Sequence, residues 1–286
     1  MEMKTQKVKV PGGEVATYSF GEGPLTVMVV SGGPGVSCDY LRESHSQYAT
    51  EGFRLVAWDQ LGTGQSDRPT DPALWEIPRF VEEMEAVRSA LGLGRVHVIG
   101  HSWGGVLGLE YALAYPQYLG RFVMANISVN VPLMNQGFKQ CKLALGLETA
   151  KMIALRESEG TTSHPEYQAA ATLLTYRHIC RTEILPEPVA KSLGEIGPAY
   201  PKMFGPFLMH CTGSLATWDR TADLHRVASP VLIVSGEHDY ILPEYAGISL
   251  NYLPNARMKI FRGCAHMPFW EDPAAYHRAV LEFLRA

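Results

Sequence analysis

The chain has 286 residues, 46% of them hydrophobic, enough for one large domain or for a domain carrying a sizeable insertion. Its 25 basic and 29 acidic side chains nearly balance, which leaves no basic stripe for nucleic acid and no polybasic patch for a membrane surface. No apolar run approaches the roughly 18 residues of a transmembrane helix, and Met1-Glu2-Met3-Lys4 lacks the apolar stretch of a signal peptide, so a soluble, cytoplasmic protein is expected.

In chain order, Val8–Val10 and Glu14–Phe20 read as a hairpin turning at Pro11-Gly12-Gly13. Leu25–Val30 is a short continuous apolar run, the pattern of a strand buried on both faces, and Phe53–Trp58, Arg95–Ile99, Arg121–Ile127, Pro230–Val234 and Met258–Phe261 repeat it. Between them Phe80, Val81, Met84, Val87 and Leu91 fall at helical spacing. Asp272-Pro273 opens a last helix, with the aspartate as cap and the proline at its first position. This alternation predicts an α/β fold, a mostly parallel sheet with helices on both faces. Residues 130–227 break the rhythm with helix-like segments at Phe138–Arg156, Pro165–Ile179 and Pro188–Leu193 and no strong strand pattern. They read as a helical cap inserted between core segments 1–129 and 228–286.

The chemistry centres on Gly100-His101-Ser102-Trp103-Gly104, directly after the run Val96–Ile99. A strand breaking into Gly-x-Ser-x-Gly before a helix is the context of a nucleophile elbow, where small residues permit a sharp turn that presents the serine. A serine nucleophile needs a base and an acid to orient that base, in the order Ser, Asp or Glu, His. Asp239 lies in the loop after Val231–Val234 and His266 in the loop after Met258–Phe261, both at strand ends where α/β sheets gather their sites. The expected catalytic residues are therefore Ser102, Asp239 and His266. Glu237 and Glu244 are rivals to Asp239. Among the histidines, His238 is adjacent to Asp239, His277 falls in the last helix as a surface or packing residue, and His101 should point away from the serine. The glycine loop Ser31-Gly32-Gly33-Pro34-Gly35 follows another strand, so the N–H groups of Gly33 and Trp103 are the expected oxyanion donors. The five cysteines, Cys38, Cys141, Cys180, Cys211 and Cys264, have no Cys-x-x-Cys spacing. They read as free thiols in a reduced compartment, with no zinc site, and Cys38 and Cys264 as packing residues.

These segments together resemble the proline iminopeptidase family over nearly the whole chain. Ser31–Gly35 is similar to its His-Gly-Gly-Pro-Gly loop, and Asp59-Gln60-Leu61-Gly62-Thr63-Gly64-Gln65-Ser66 to its Asp-Gln-x-Gly-x-Gly-x-Ser stretch. Gly100–Gly105 matches the elbow, Cys264-Ala265-His266 through Trp270-Glu271-Asp272 the histidine segment, and Pro165–Tyr167, Tyr176–Arg181, Thr212–Leu215 and Trp218-Asp219 the cap. The resemblance implies an α/β-hydrolase core with a helical cap and a serine mechanism needing neither metal nor cofactor.

The departures concern the substrate. The family holds a free α-amino group with acids, one in a cap segment Gly-Pro-Asn-Glu-Phe and one directly after the triad aspartate. Here those positions fall in Gly205-Pro206-Phe207-Leu208-Met209, with Leu208 at the glutamate, and at Tyr240; Ser31 replaces the loop histidine. Leaving a buried ammonium without its partner costs about 3–5 kcal/mol. Phe207, Leu208, Met209, Tyr240 and Phe269 are then expected to line a pocket for an uncharged group, unless Glu183, Glu187 or Glu195 takes over the amine. Asp59, Arg68 and Trp218 read as structural. The sequence favours a hydrolase of neutral, bulky or apolar small-molecule esters, lactones or amides; an aminopeptidase or amino-acid amidase with relocated anchors, or a non-catalytic ligand-binding homologue, are the alternatives.

Overall fold

The apolar runs become strands and the helically spaced ones helices in a computed structural model that describes residues 2–286. Among these residues, β1 (Lys4–Val10), β2 (Gly13–Phe20), β3 (Leu25–Val30), β4 (Phe53–Trp58), β5 (Val96–His101), β6 (Leu119–Ala125), β7 (Val231–Gly236) and β8 (Ala256–Phe261) form one sheet, ordered β1-β2-β4-β3-β5-β6-β7-β8. The β1–β2 and β2–β4 pairs are antiparallel and every later pair is parallel. Strands β5, β6 and β7 are buried along nearly their whole length, as central strands of a largely parallel sheet are. The edges are polar instead: Lys4, Lys7 and Lys9 on β1, and Arg257 and Lys259 on β8, stand exposed and discourage pairing with another sheet.

Helices α1 (Asp39–His45), α2 (Ile77–Ala90) and α3 (Trp103–Ala114) fall within this first half. The predicted stripe on α2 is the buried one, Phe80, Val81, Met84 and Val87. Helix α3 is buried on nearly every side, as its mostly apolar sequence requires. Between β6 and β7 the chain inserts α4 (Val131–Leu143), α5 (Leu147–Ser158), α6 (Pro165–His178), α7 (Glu187–Gly194) and α8 (Ala199–Met203). After β7 come α9 (Pro243–Gly247), α10 (Pro268–Glu271) and α11 (Pro273–Arg285). In α11, Asp272 accepts from the Ala275 N–H (3.1 Å), and Tyr276, Val280, Phe283 and Leu284 face the core.

One expectation fails at the element level. Phe138–Arg156 is not a single helix: α4 starts seven residues earlier, where Asn130 caps the Leu133 N–H (2.8 Å), and ends before Gly146. Gly146 takes φ +106°, which no helix accommodates, and α5 begins after it. A Lys142–Glu157 ion pair (2.6 Å) then ties the two helices together.

Candidate active site

Strand β5 passes into α3 through Ser102, whose backbone is at φ +55° and ψ −123°. A non-glycine residue held there costs on the order of 1–3 kcal/mol and persists only when its surroundings enforce it. The glycines allow the crowding that does so. A Cβ on Gly100 would run into the Gly104 carbonyl, one on Gly104 into the Val30 carbonyl, and one on Gly105 would lie 2.7 Å from Ile127 Cγ2. The Ser102 N–H is fixed to the Ala125 carbonyl of β6 (2.9 Å).

Asp239 and His266 arrive on the loops after β7 and β8, and both are buried. Asp239 Oδ1 lies 2.9 Å from His266 Nδ1 and accepts the Ile241 N–H at 2.9 Å. Its Oδ2 accepts from Asn126 Nδ2 at 2.7 Å. A carboxylate so supplied assigns the imidazole proton to Nδ1 and leaves the Nε2 lone pair facing the cleft. The partner of Nε2 is the Tyr240 hydroxyl at 3.1 Å, with the two ring centres 4.3 Å apart. Among the described residues, Ser102 makes no hydrogen bond to His266. Burial, reinforced by the Asp239 charge, holds the Tyr240 phenol well above its ordinary pKa, while the neighbouring Ser102 hydroxyl works in the lowering direction.

The glycine loop folds over the same cleft. The Gly32 N–H is taken by the Tyr40 hydroxyl (2.8 Å), whereas the Gly33 N–H has no partner among the described residues. Trp103 is the first residue of α3, so its N–H has no partner within the helix and sits at the positive end of the helix dipole. Gln60 locks these loops together: its Nε2 donates to the Ser31 carbonyl (3.0 Å) and its Oε1 accepts from Trp103 Nε1 (2.9 Å).

The cleft above Ser102 has two lobes that meet at Gly33, Ser102, Phe204 and Tyr240. The larger, about 250 Å³, is walled by Ile179, Leu193, Ile196, Tyr200, Leu208 and Met209. The smaller, about 30 Å³, is bounded by Trp103, Val131, Met134, Leu215 and Ile241. No carboxylate side chain lines either lobe among the described residues. Glu183, Glu187 and Glu195 are exposed and outside it. Of the expected lining residues, Leu208, Met209 and Tyr240 are present and two are not. The turn Phe207–His210 directs the Phe207 ring outward onto His210, and Phe204 fills its place. Phe269 is buried beneath the site, 5.0 Å from the His101 ring and 6.0 Å from that of Tyr40.

The rival acids and histidines have other employment. Glu237 accepts the Gly263 N–H (2.8 Å), and Glu244 is exposed on α9. His238 projects to the surface. His277 is buried against Tyr48 (3.0 Å), a packing residue and not a surface one. His101 borders the cleft but spends Nδ1 on Tyr40 (2.6 Å) and Nε2 on the His266 carbonyl (2.8 Å), and burial keeps its pKa far below the ordinary value. Asp59 anchors its loop through the N–H groups of Cys38 (3.0 Å) and Gln65 (2.9 Å), Trp218 donates to Glu110 (2.6 Å), and Arg68 is exposed. All five cysteines are free and buried, and burial pushes the Cys264 thiol up to about 12.

Sequence reading passed over four supports. Asn126 holds Asp239 from the end of β6 at φ +58°, a conformation asparagine tolerates better than most residues. Glu271 accepts the N–H groups of Ala265 (2.9 Å), Met267 (3.0 Å) and Arg181 (2.8 Å) and so fixes the His266 loop, its pKa raised by desolvation. Tyr40 and Gln60 complete the set. Asn126 stands directly after β6, and Gln60 and Glu271 fall within the segments that resemble the family; nothing in the sequence singled out Tyr40.

Comparison with known proteins places this geometry among relatives. The alpha/beta hydrolase fold family matches residues 26–273. A proline iminopeptidase of Heyndrickxia coagulans is 33% identical, covering 98% of each chain. The crystal structure of proline iminopeptidase from Mycobacterium smegmatis superposes with a TM-score of 0.91 at 30% identity, covering 99% of this chain and 98% of that one. The crystal structure of VinJ gives 0.94 at 27% identity with the same coverage.

Proposed function

The chain belongs to the α/β-hydrolase fold family, in its proline iminopeptidase-like branch, and we propose from that premise a serine hydrolase acting on neutral carboxylic esters, lactones or amides. The observation that carries the substrate class is the absence of any carboxylate side chain among the described residues lining the cleft. A free N-terminal ammonium entering that cleft would lose its water and gain no counter-charge, a penalty of several kcal/mol. An uncharged acyl group would instead bury against Leu208, Met209 and Phe204.

In the proposed mechanism His266 Nε2 takes the Ser102 proton as Oγ attacks the substrate carbonyl. Asp239 keeps the ring oriented through Nδ1 and stabilises the imidazolium. The Gly33 and Trp103 N–H groups receive the tetrahedral oxyanion, where donors fixed in advance are worth most. His266 returns the proton to the leaving group, then draws one from the water that releases the acyl-enzyme. The helices between β6 and β7 act as the cap that supplies the acyl-group wall.

A second reading is favoured by the names of the relatives: an aminopeptidase acting on a free N-terminal residue. A paired assay separates the two. Purified protein is given a neutral acyl ester and a prolyl arylamide, with Ser102→Ala as the blank. Ester turnover without arylamide turnover is expected. Comparable arylamide turnover overturns the neutral-substrate reading. A protein that turns over neither and takes up no serine-directed phosphonate at Ser102 is a binding homologue instead of an enzyme.

A further inference from the structure

The hydrogen bond between Tyr240 and His266 plays no part in that mechanism, yet it occupies the atom the mechanism depends on. An imidazole whose Nδ1–H is committed to Asp239 has one lone pair left, at Nε2, and accepts one donor along it at a time. In this structure that donor is the Tyr240 hydroxyl at 3.1 Å. The phenol is held on several sides. Its ring packs 4.3 Å from the His266 ring and 5.1 Å from Phe138 of α4. Its backbone N–H donates to the His178 carbonyl of α6 (3.4 Å), and the next residue, Ile241, is tied to Asp239. Tyr240 also stands where the two lobes meet, beside Ser102. A substrate carbonyl at Ser102 therefore lies in a cleft that Tyr240 also lines.

We propose that Tyr240 is a positioning residue that makes the base conditional on substrate: its hydroxyl holds Nε2 in the resting protein and transfers to an uncharged acceptor oxygen of the incoming substrate, releasing Nε2 to Ser102. The acceptor is a carbonyl, ether or hydroxyl oxygen next to the scissile group. The exchange moves a hydrogen bond and no covalent bond. Ser102 then loses its proton to Nε2 as Oγ bonds to the substrate carbon, and the phenol keeps its own proton throughout. Burial favours that neutral state. An ammonium, having no lone pair, cannot accept the phenol's hydrogen bond, so the device selects for neutral oxygenated substrates. This inference rests on the serine-hydrolase reading above.

Tyr240→Phe keeps the ring and its packing and deletes only the hydroxyl. Wild type and variant are treated with a small fluorophosphonate lacking an acyl arm, and Ser102 modification is followed by mass spectrometry. Both are then assayed on a plain acyl ester and on its α-alkoxy analogue. The variant is expected to label about three- to tenfold faster, the range corresponding to one neutral hydrogen bond. It is also expected to lose the wild type's kcat/KM preference for the alkoxy ester, with its unfolding temperature preserved. Equal or slower labelling by the variant, or an alkoxy preference that survives the substitution, overturns the latch alone. No labelling of the wild type overturns the serine-hydrolase reading and the latch with it.

Discussion

At the scale of residues, the acid and base of the site are buried groups held by specific partners. Asp239 is fully buried, and besides His266 its oxygens meet one backbone N–H and the Asn126 amide. Deleting that amide leaves a carboxylate oxygen short of a donor, and hydrogen bonds to charged groups are worth about 1.5–3 kcal/mol. Asn126→Ala should lower ester kcat/KM by roughly ten- to a hundredfold with little change in KM, measured by steady-state kinetics on folded protein. Leu208 offers the converse test. Leu208→Glu places a carboxylate on the cleft wall and should improve competitive inhibition by a prolyl amide by at least about tenfold, the effect of a partly desolvated ion pair. No gain in inhibition would mean that this wall does not face the acyl group. Ser102, Asp239 and His266 were legible because each follows an apolar run, and strand ends in this fold class point at one edge. Asn126 and Gln60 were not, because their partners lie far along the chain, 113 residues away for Asn126; Tyr40 and Glu271 bond partly to near neighbours, Gly32 and Ala265, but through loop turns whose course only the fold sets. Phe207 and Phe269 lie outside the lining of the cleft, because nearness in sequence to a site says nothing of which side of a turn a ring takes.

At the scale of elements, the elbow and the caps decide whether the site forms. Gly104 touches the Val30 carbonyl so closely that any side chain must push β3 away from α3. Gly104→Ala should therefore prevent accumulation of folded protein or lower the unfolding temperature sharply, whereas Gly94→Ala, with open space around its Cβ position, should move it by no more than about 2 °C. Calorimetry or a thermal-shift scan of the two variants checks this, and similar behaviour by both would refute the packing argument. Existence and type of the core elements could be read from periodicity. The break at Gly146 could not, since apolar residues of α4 and α5 continue the same spacing across it and only the left-handed backbone turns the chain.

At the scale of the whole molecule, buried neutral histidines couple stability to pH. His277 is packed against Tyr48 and the His45 ring, its Nε2 has no partner among the described residues, and burial lowers its pKa to about 4. Its folded pKa lies below the unfolded value of about 6.5, so the unfolded chain binds the extra proton first. This contribution is full above about pH 6.5 and is lost as pH falls toward 4; His97, also lowered to about 4 by burial, acts in the same direction. The unfolding temperature should therefore fall between pH 7 and pH 5, and more shallowly in His277→Asn. An identical slope in that variant would remove His277 from the account.

The sequence by itself determined the α/β class, the chain order of the strands, and the three loops from which a serine, a carboxylate and a histidine could meet. Those follow from local physics: periodicity sets the elements, glycine permits the elbow, and the parallel sheet brings strand ends to one side. Only the tertiary structure decided what surrounds them. That Tyr240 sits on the base, that Phe204 and not Phe207 faces the cleft, and that no carboxylate among the described residues lines it are outcomes of packing between segments far apart in the chain. Such contacts depend on the distance and direction of side chains, which no single stretch of sequence encodes.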